Sequence, residues 1–210
     1  MIVRLIIATM VLCITLAAPL TARSEKTYKG EYLELSGHDF KFDGKTVEIS
    51  EFISFYCGHC YSFQRWIPVI RGNFPGKVKW RTLPIYWGKG GSSKPGEAFL
   101  IAEESGKGEE MKAAIFHANF VERKDIGKVE LLEELAGKIG LGFNFSMKLR
   151  GGDKEKEARE ALQMADAYGV RSTPSVVIAG NILTSPTMTN GDLPAFSKNV
   201  TSILTGIFKR

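Results

Sequence analysis

Apolar and polar positions alternate, cluster and then recur at helical spacing along the chain. The run "HDFKFDGKTVEISEFISFY", residues 38–56, alternates, turns at Asp43-Gly44 and then runs apolar. Residues 46–56 therefore read as a strand buried on both faces. From Gly58 to Asn73 the period is helical: Phe63, Trp66, Ile67 and Ile70 make one stripe, and Pro68 within it predicts a kink. Residues 77–87, "KVKWRTLPIYW", return to strand. Residues 88–96, "GKGGSSKPG", read as a flexible loop without the residue order of a phosphate cradle. From 97 to about 168 the pattern is helical, with one stripe at Leu132, Leu135, Ala136 and Ile139. A second stripe runs through Ala158, Ala161, Leu162, Ala165 and Tyr168. "SVVIAGNILT", 175–184, reads as a hairpin turning at Gly180-Asn181, and 191–208 as a closing amphipathic helix. Residues 25–36 are polar and extended. A βαβ start and a ββα end with helices between them predict an α/β fold, a mixed sheet flanked by helices.

Composition narrows the function classes. The 210 residues are 44% hydrophobic and 24% charged, with a net charge of +5 and a pI near 9.0. The positive charge is dispersed, without a basic stripe laced with aromatics, which argues against nucleic-acid binding. The N-terminus reads as a secretory signal. Arg4 precedes "LIIATMVLCITLAAPL", an apolar run of about 16 residues that is shorter than the roughly 20 a spanning helix needs. Small residues follow, with Leu20-Thr21-Ala22 or Ala22-Arg23-Ser24 at the expected cleavage site. The rival reading is an uncleaved membrane anchor. Cys13 lies within the apolar run and would leave with it.

That leaves Cys57 and Cys60 as the only cysteines of the mature chain. A disulfide-stapled scaffold would carry four or more, and a loop this short constrains the unfolded chain little. Haem attachment needs His after the second cysteine, where Tyr61 stands. A structural zinc site needs four ligands, and the chain offers only His38, His59 and His117 besides the pair. Copper(I) on two thiolates stays open, because soft ligands suit it. The remaining use is redox. Placed between strand and helix, Cys57 sits at a helix N-terminus, where unpaired N–H groups favour the thiolate. His59, when protonated, would add to that effect. Cys60, one turn in, should be more buried and less acidic. Cys57 then attacks or is attacked, and Cys60 resolves the mixed disulfide.

"FYCGHCYSF", the kinked helix after it, and "GVRSTPSVVIAGN" resemble the periplasmic thiol–disulfide oxidoreductases of the DsbA type, over residues 30 to 206. The resemblance implies a thioredoxin fold with an inserted helical domain. It divides the chain into a cleaved signal peptide (1–24), a first thioredoxin-fold part (25–90), the helical insertion (91–168) and a second thioredoxin-fold part (169–210). It implies that Pro174 is cis and packs against the cysteine pair, and that Thr173 offers its backbone to a substrate strand, a form of β-augmentation. Glu51 matches a buried acid of the family that assists proton transfer. No cofactor is implied.

Two positions depart from the family pattern. Gly58-His59 stands where many DsbA-type oxidases carry Pro-His, and Thr173 where many carry Val before the cis-proline. Both leave open whether the pair serves an oxidase or an isomerase or reductase. The leading expectation is a periplasmic oxidase that donates its disulfide to unfolded or partly folded exported proteins. A quinone-linked membrane partner, DsbB-like, would reoxidise it. Only about 20 residues precede the fold, too few for the dimerisation domain common in isomerases of the superfamily, so a monomer is expected. "GIFKR" at the C-terminus carries no Lys-Asp-Glu-Leu-type signal, which favours the periplasm over an endoplasmic reticulum lumen. The alternatives are an isomerase or reductase using the same residues, and a copper(I) chaperone.

Overall fold

The computed structural model describes residues 27–88 and 91–209. The signal-peptide assignment, 1–24, lies outside the described residues. The first strand, β1 (Leu33–Glu34), is only two residues long. The next strand, β2 (Val47–Ile53), leads to α1 (Gly58–Phe63), a 3-10 turn (Gln64–Trp66) and α2 (Ile67–Gly72). From there the chain enters β3 (Val78–Pro84). Five helices follow: α3 (Lys94–Glu104), α4 (Gly108–Phe120), α5 (Val129–Lys138), α6 (Phe143–Gly151) and α7 (Glu155–Ala167). A hairpin of β4 (Ser175–Ile178) and β5 (Ile182–Thr184) leads through a 3-10 turn (Pro186–Thr189) to α8 (Leu193–Phe208).

The five strands form one sheet in the order β1-β5-β4-β2-β3. β2 and β3 are parallel, as the helical crossover between them requires, and the other pairs are antiparallel. This is the expected mixed sheet flanked by helices, a thioredoxin fold interrupted by a helical insertion.

Three apolar clusters account for the architecture. On one sheet face, Ile49 and Val176 meet Phe63, Ile70 and Phe196 from α1, α2 and α8. On the other, Phe52 and Val177 meet Ala161 and Ala165 of α7. The third cluster is the core of the insertion, and it reaches back to take in Ile53, Phe55 and Cys60. β2 contributes to all three, and of its residues only Glu48 is exposed. That is why apolar residues stand on both faces of it, Val47 and Ile49 on one and Phe52 on the other.

Pro68 does more than kink one helix. It has no N–H to bond the carbonyl of Gln64, and its ring crowds that turn. The chain tightens to a 3-10 turn at Gln64–Trp66 and restarts as α2 with Pro68 in its first turn. The buried face keeps its register across the break: Phe63, Ile67 and Ile70 are all buried.

Several boundaries shift. The strands end at Ile53 and Pro84, short of residues 56 and 87. α3 begins at Lys94, so 94–96 of the expected loop are helical, and Pro95 sits in the first turn where its missing N–H costs nothing. The hairpin turn takes three residues, 179–181, one more than the expected Gly180-Asn181, with Ala179 (φ 51°) and Gly180 (φ 80°) left-handed. The helical block breaks after α3, α5 and α6 at Gly106, Gly140 and Gly152, all with positive φ. β1 is a strand that the expectation missed. It pairs Leu33 with Leu183 and holds its place through Leu35 N–H donating to the Asn181 carbonyl at 2.8 Å.

The helix that carries the cysteines is anchored by Phe63, whose ring lies 4.9 Å from that of Phe196 on α8, both fully buried. Phe63→Ala should cost about 3–5 kcal/mol in urea unfolding. A loss below about 1 kcal/mol would mean that α1 is held mainly by other contacts.

Candidate functional site

β2 ends at Ile53, and Ser54–Tyr56 turn the chain into α1. Cys57 is the N-cap residue, with extended backbone (φ −98°, ψ 115°). Its carbonyl accepts from Tyr61 N–H at 3.1 Å and its own N–H donates to the Ser54 carbonyl at 3.0 Å. The Cys57 sulfur is therefore held at the mouth of the helix, partly exposed. Cys60, one turn on, is 0% exposed and packed into the core of the insertion. Both are free thiols in this structure.

The loop before β4 approaches from across the sheet. The Thr173–Pro174 peptide bond is cis. Pro174 is buried, Thr173 partly exposed, and the Cys57 thiol donates to the Thr173 carbonyl oxygen at 3.1 Å. Residues 116 positions apart in sequence thus meet at one sulfur.

Their environments drive the two thiols apart. The Cys57 pKa falls from 9.0 to about 5, chiefly because the Cys60 thiol donates a hydrogen bond to the thiolate. Burial opposes the fall, while the Thr173 side chain and the backbone N–H groups of Cys60 and His59 assist it. The Cys60 pKa is pushed well above 9.0, first by burial and then by its bond to Cys57 and the nearby Cys57 charge. One proton shared between two sulfurs therefore resides on Cys60.

The other expected residues fall into place unequally. His59 is exposed, and its backbone N–H is among the donors to the Cys57 sulfur. Gly58 is exposed too. A Cβ there would meet only Phe120 Cε1 at 3.7 Å, an ordinary contact, so neither space nor backbone conformation demands glycine. Thr173 contributes through its hydroxyl as well as its backbone, a role the sequence reading did not foresee. Glu51 is 0% exposed. Its Oε2 accepts from Trp80 Nε1–H at 2.9 Å and from the Thr82 hydroxyl at 3.3 Å. Its Oε1 has no hydrogen-bond partner among the described residues. Burial raises its pKa, against the Lys112 charge and the two hydrogen bonds.

Three aromatic residues beside the pair also went unnoticed in the sequence. Tyr61 stacks on Phe120 of α4 with centroids 5.2 Å apart and planes 10° off parallel. Phe116 closes the cluster from beneath, 6.0 Å from Tyr61. Beyond it, Gln64, Pro68, Lys112 and His117 help to line a cleft of about 330 Å³ between α1–α2 and α4. Apolar i, i+4 spacing at Phe116 and Phe120 was the available signal.

Comparison with known proteins gives a consistent picture. Residues 48–198 match the family described as DSBA-like thioredoxin domain. The thiol:disulfide interchange protein DsbA of Azotobacter vinelandii is 28% identical over 151 residues, 71% of this chain and 70% of that protein. The protein of the same name from Pseudomonas aeruginosa is 28% identical over 189 residues, 84% of this chain and 83% of its own. Among solved structures, Pseudomonas aeruginosa DsbA superposes with a TM-score of 0.69 at 22% identity, covering 86% of this chain and 95% of that one. DsbA from Xylella fastidiosa gives 0.68 at 20% identity, over 86% and 94%.

In the reduced protein, thiolate absorbance should show one midpoint near pH 5 for Cys57 and no titration of Cys60 below pH 9. Thr173→Val, which keeps the shape and loses the hydroxyl, should move that midpoint upward. An unmoved midpoint would exclude the hydroxyl as a thiolate donor.

Proposed function

The chain belongs to the DSBA-like thioredoxin domain family, and on that premise we propose that it is a periplasmic disulfide oxidase acting through Cys57 and Cys60. Its relatives are thiol:disulfide interchange proteins, and the chain is an oxidoreductase of that class. The observation that carries the direction is the separation of the two thiols. A Cys57 pKa of about 5 stabilises the dithiol form at neutral pH, and the disulfide form has no thiolate to stabilise. The pair is therefore poised to give its disulfide away.

The steps follow from where the proton lies. In the oxidised enzyme the Cys57 sulfur faces solvent, so a substrate thiolate attacks it, forming a mixed disulfide and releasing Cys60. Cys60 is buried and strongly basic, so it must take up a proton. A second substrate thiolate then attacks the substrate sulfur of the mixed disulfide. Cys57 leaves as a thiolate, a good leaving group because its pKa is low. Two substrate thiols are oxidised and the enzyme disulfide is reduced by two electrons. Of the two substrate protons, one ends on Cys60 and one in solvent.

The remaining residues support these steps. Thr173 presents backbone to an extended substrate beside Cys57, with Pro174 fixing the loop. Gly58 leaves the approach open, and His59 helps to hold the thiolate through its backbone N–H. Glu51 serves as the proton store for Cys60. Its raised pKa and its Oε1, without a hydrogen-bond partner among the described residues, support that reading. The substrates are exported proteins not yet folded, and a DsbB-like membrane oxidase restores the disulfide. The working unit is a monomer, delivered by the 1–24 signal, with residues 25–90 and 169–210 forming the thioredoxin fold and 91–168 the insertion. No helix among the described residues is long and apolar enough to cross a membrane.

Two measurements test this reading. Against glutathione, the midpoint potential should lie near that of strong oxidants, about −120 mV, and a value near −270 mV would instead mean a reductase. It should fall by about 30 mV per pH unit above pH 5, where reduction consumes one proton, and by about 60 mV below, where it consumes two. In parallel, Cys60→Ser should trap mixed disulfides with unfolded substrates, while Cys57→Ser should abolish exchange. Normal turnover in Cys57→Ser would overturn the assignment.

A further inference from the structure

Beside the cleft between α1–α2 and α4, polar side chains form a directed line of hydrogen bonds ending at Glu51. Lys112 Nζ donates to Thr82 Oγ1 at 3.4 Å, and the Thr82 hydroxyl donates to Glu51 Oε2 at 3.3 Å. Lys112 Nζ is also paired with Glu109 Oε1 at 2.9 Å. A hydroxyl accepts and donates at once, so Thr82 can take a proton from one neighbour while giving its own to the other. Exposure rises along the line. Glu51 is wholly buried, the Lys112 side chain is 3% exposed, and the Glu109 side chain is 72% exposed. Lys112 and Glu109 both line the 330 Å³ cleft.

A buried lysine beside a buried carboxyl is costly unless each is paired. Here α4 supplies the cation and the sheet supplies the carboxyl, because the parallel register sets Thr82 opposite Glu51. The other charged groups around the cluster are Glu109 on α4, Glu103 on α3, Arg81 on β3 and Glu157 on α7. Of these, Glu103 is itself displaced toward the neutral form, mainly by burial.

We propose that Thr82 and Lys112 are positioning residues for Glu51, forming the path along which its carboxyl exchanges a proton with water in the α4 cleft. In the recharging direction Glu51 begins as the carboxylate. Thr82 passes its hydroxyl proton to Glu51 Oε2 as Lys112 Nζ passes one to Thr82 Oγ1. Lys112 is recharged by a proton from solvent acid that enters the cleft beside the Glu109 carboxylate. One proton enters from solvent, one arrives on Glu51, and no electron moves. The path serves disulfide exchange through the proposed role of Glu51 as the proton store for Cys60, and it lets that store refill without passing the substrate bound at Cys57.

Infrared difference spectroscopy on the full chain can follow the C=O stretch of protonated Glu51 after transfer from H2O to D2O, with Glu51→Gln identifying the band. Thr82→Val and Lys112→Met should each slow the isotope shift of that band by about tenfold or more. Thr82→Ser, which keeps the hydroxyl, should restore the original rate. Exchange at the original rate in both Thr82→Val and Lys112→Met would overturn the path. If Lys112→Met does not fold, the nearly isosteric Thr82→Val decides alone. Unimpaired disulfide exchange in Glu51→Gln would sink the proton-store role, and the isotope rates in the other variants report on the path independently of that result.

Discussion

The bond from the Cys60 thiol to the Cys57 sulfur governs the chemistry of the site. Two sulfurs this close cannot both hold charge, so one proton must be assigned to one of them. The fold makes that assignment by position. Cys57 caps a helix and meets donors from Cys60, the Thr173 side chain and two backbone N–H groups. Cys60 lies inside, where a charge would have no water to face. Reverse the burial and the same two residues would be a poorer oxidant, because Cys57 would keep its proton and leave less readily from a mixed disulfide.

The insertion takes part in this asymmetry. Cys60 belongs to the same apolar cluster as Phe99, Ile115 and Phe116, residues of α3 and α4. The helices that interrupt the thioredoxin fold thus supply much of the apolar environment that keeps Cys60 neutral. They also supply Lys112, the charge that opposes the neutralisation of Glu51. The sheet brings the reactive groups together, and the inserted helices tune the acidity of two of them.

Patterning carried the fold because its signals were long and local. β2 reads as an apolar run because both its faces are covered, and the stripe at Phe63, Ile67 and Ile70 survives the break at Pro68. β1 escaped notice for the opposite reason: two residues, with Leu33 exposed, carry no period. The helix breaks in the insertion were legible in principle, through glycines at Gly106, Gly140 and Gly152. At the site, the cysteines, Pro174 and Glu51 could be picked out from the motif and the family resemblance. The partners of Glu51 could not. Trp80 and Thr82 reach it through a strand register, and Lys112 through helix packing, and neither leaves a mark in local sequence. His59 shows the converse limit, since residue type drew attention to its ring and gave no sign that its backbone N–H also donates to Cys57.

Gly58 is surrounded by open space, with the Phe120 ring at an ordinary distance and no left-handed backbone to satisfy. A side chain can be added there without rebuilding anything beneath it. A side chain added there would change what an incoming chain meets beside Cys57, while the sheet, the buried Glu51 carboxyl and the cis-proline loop keep their places.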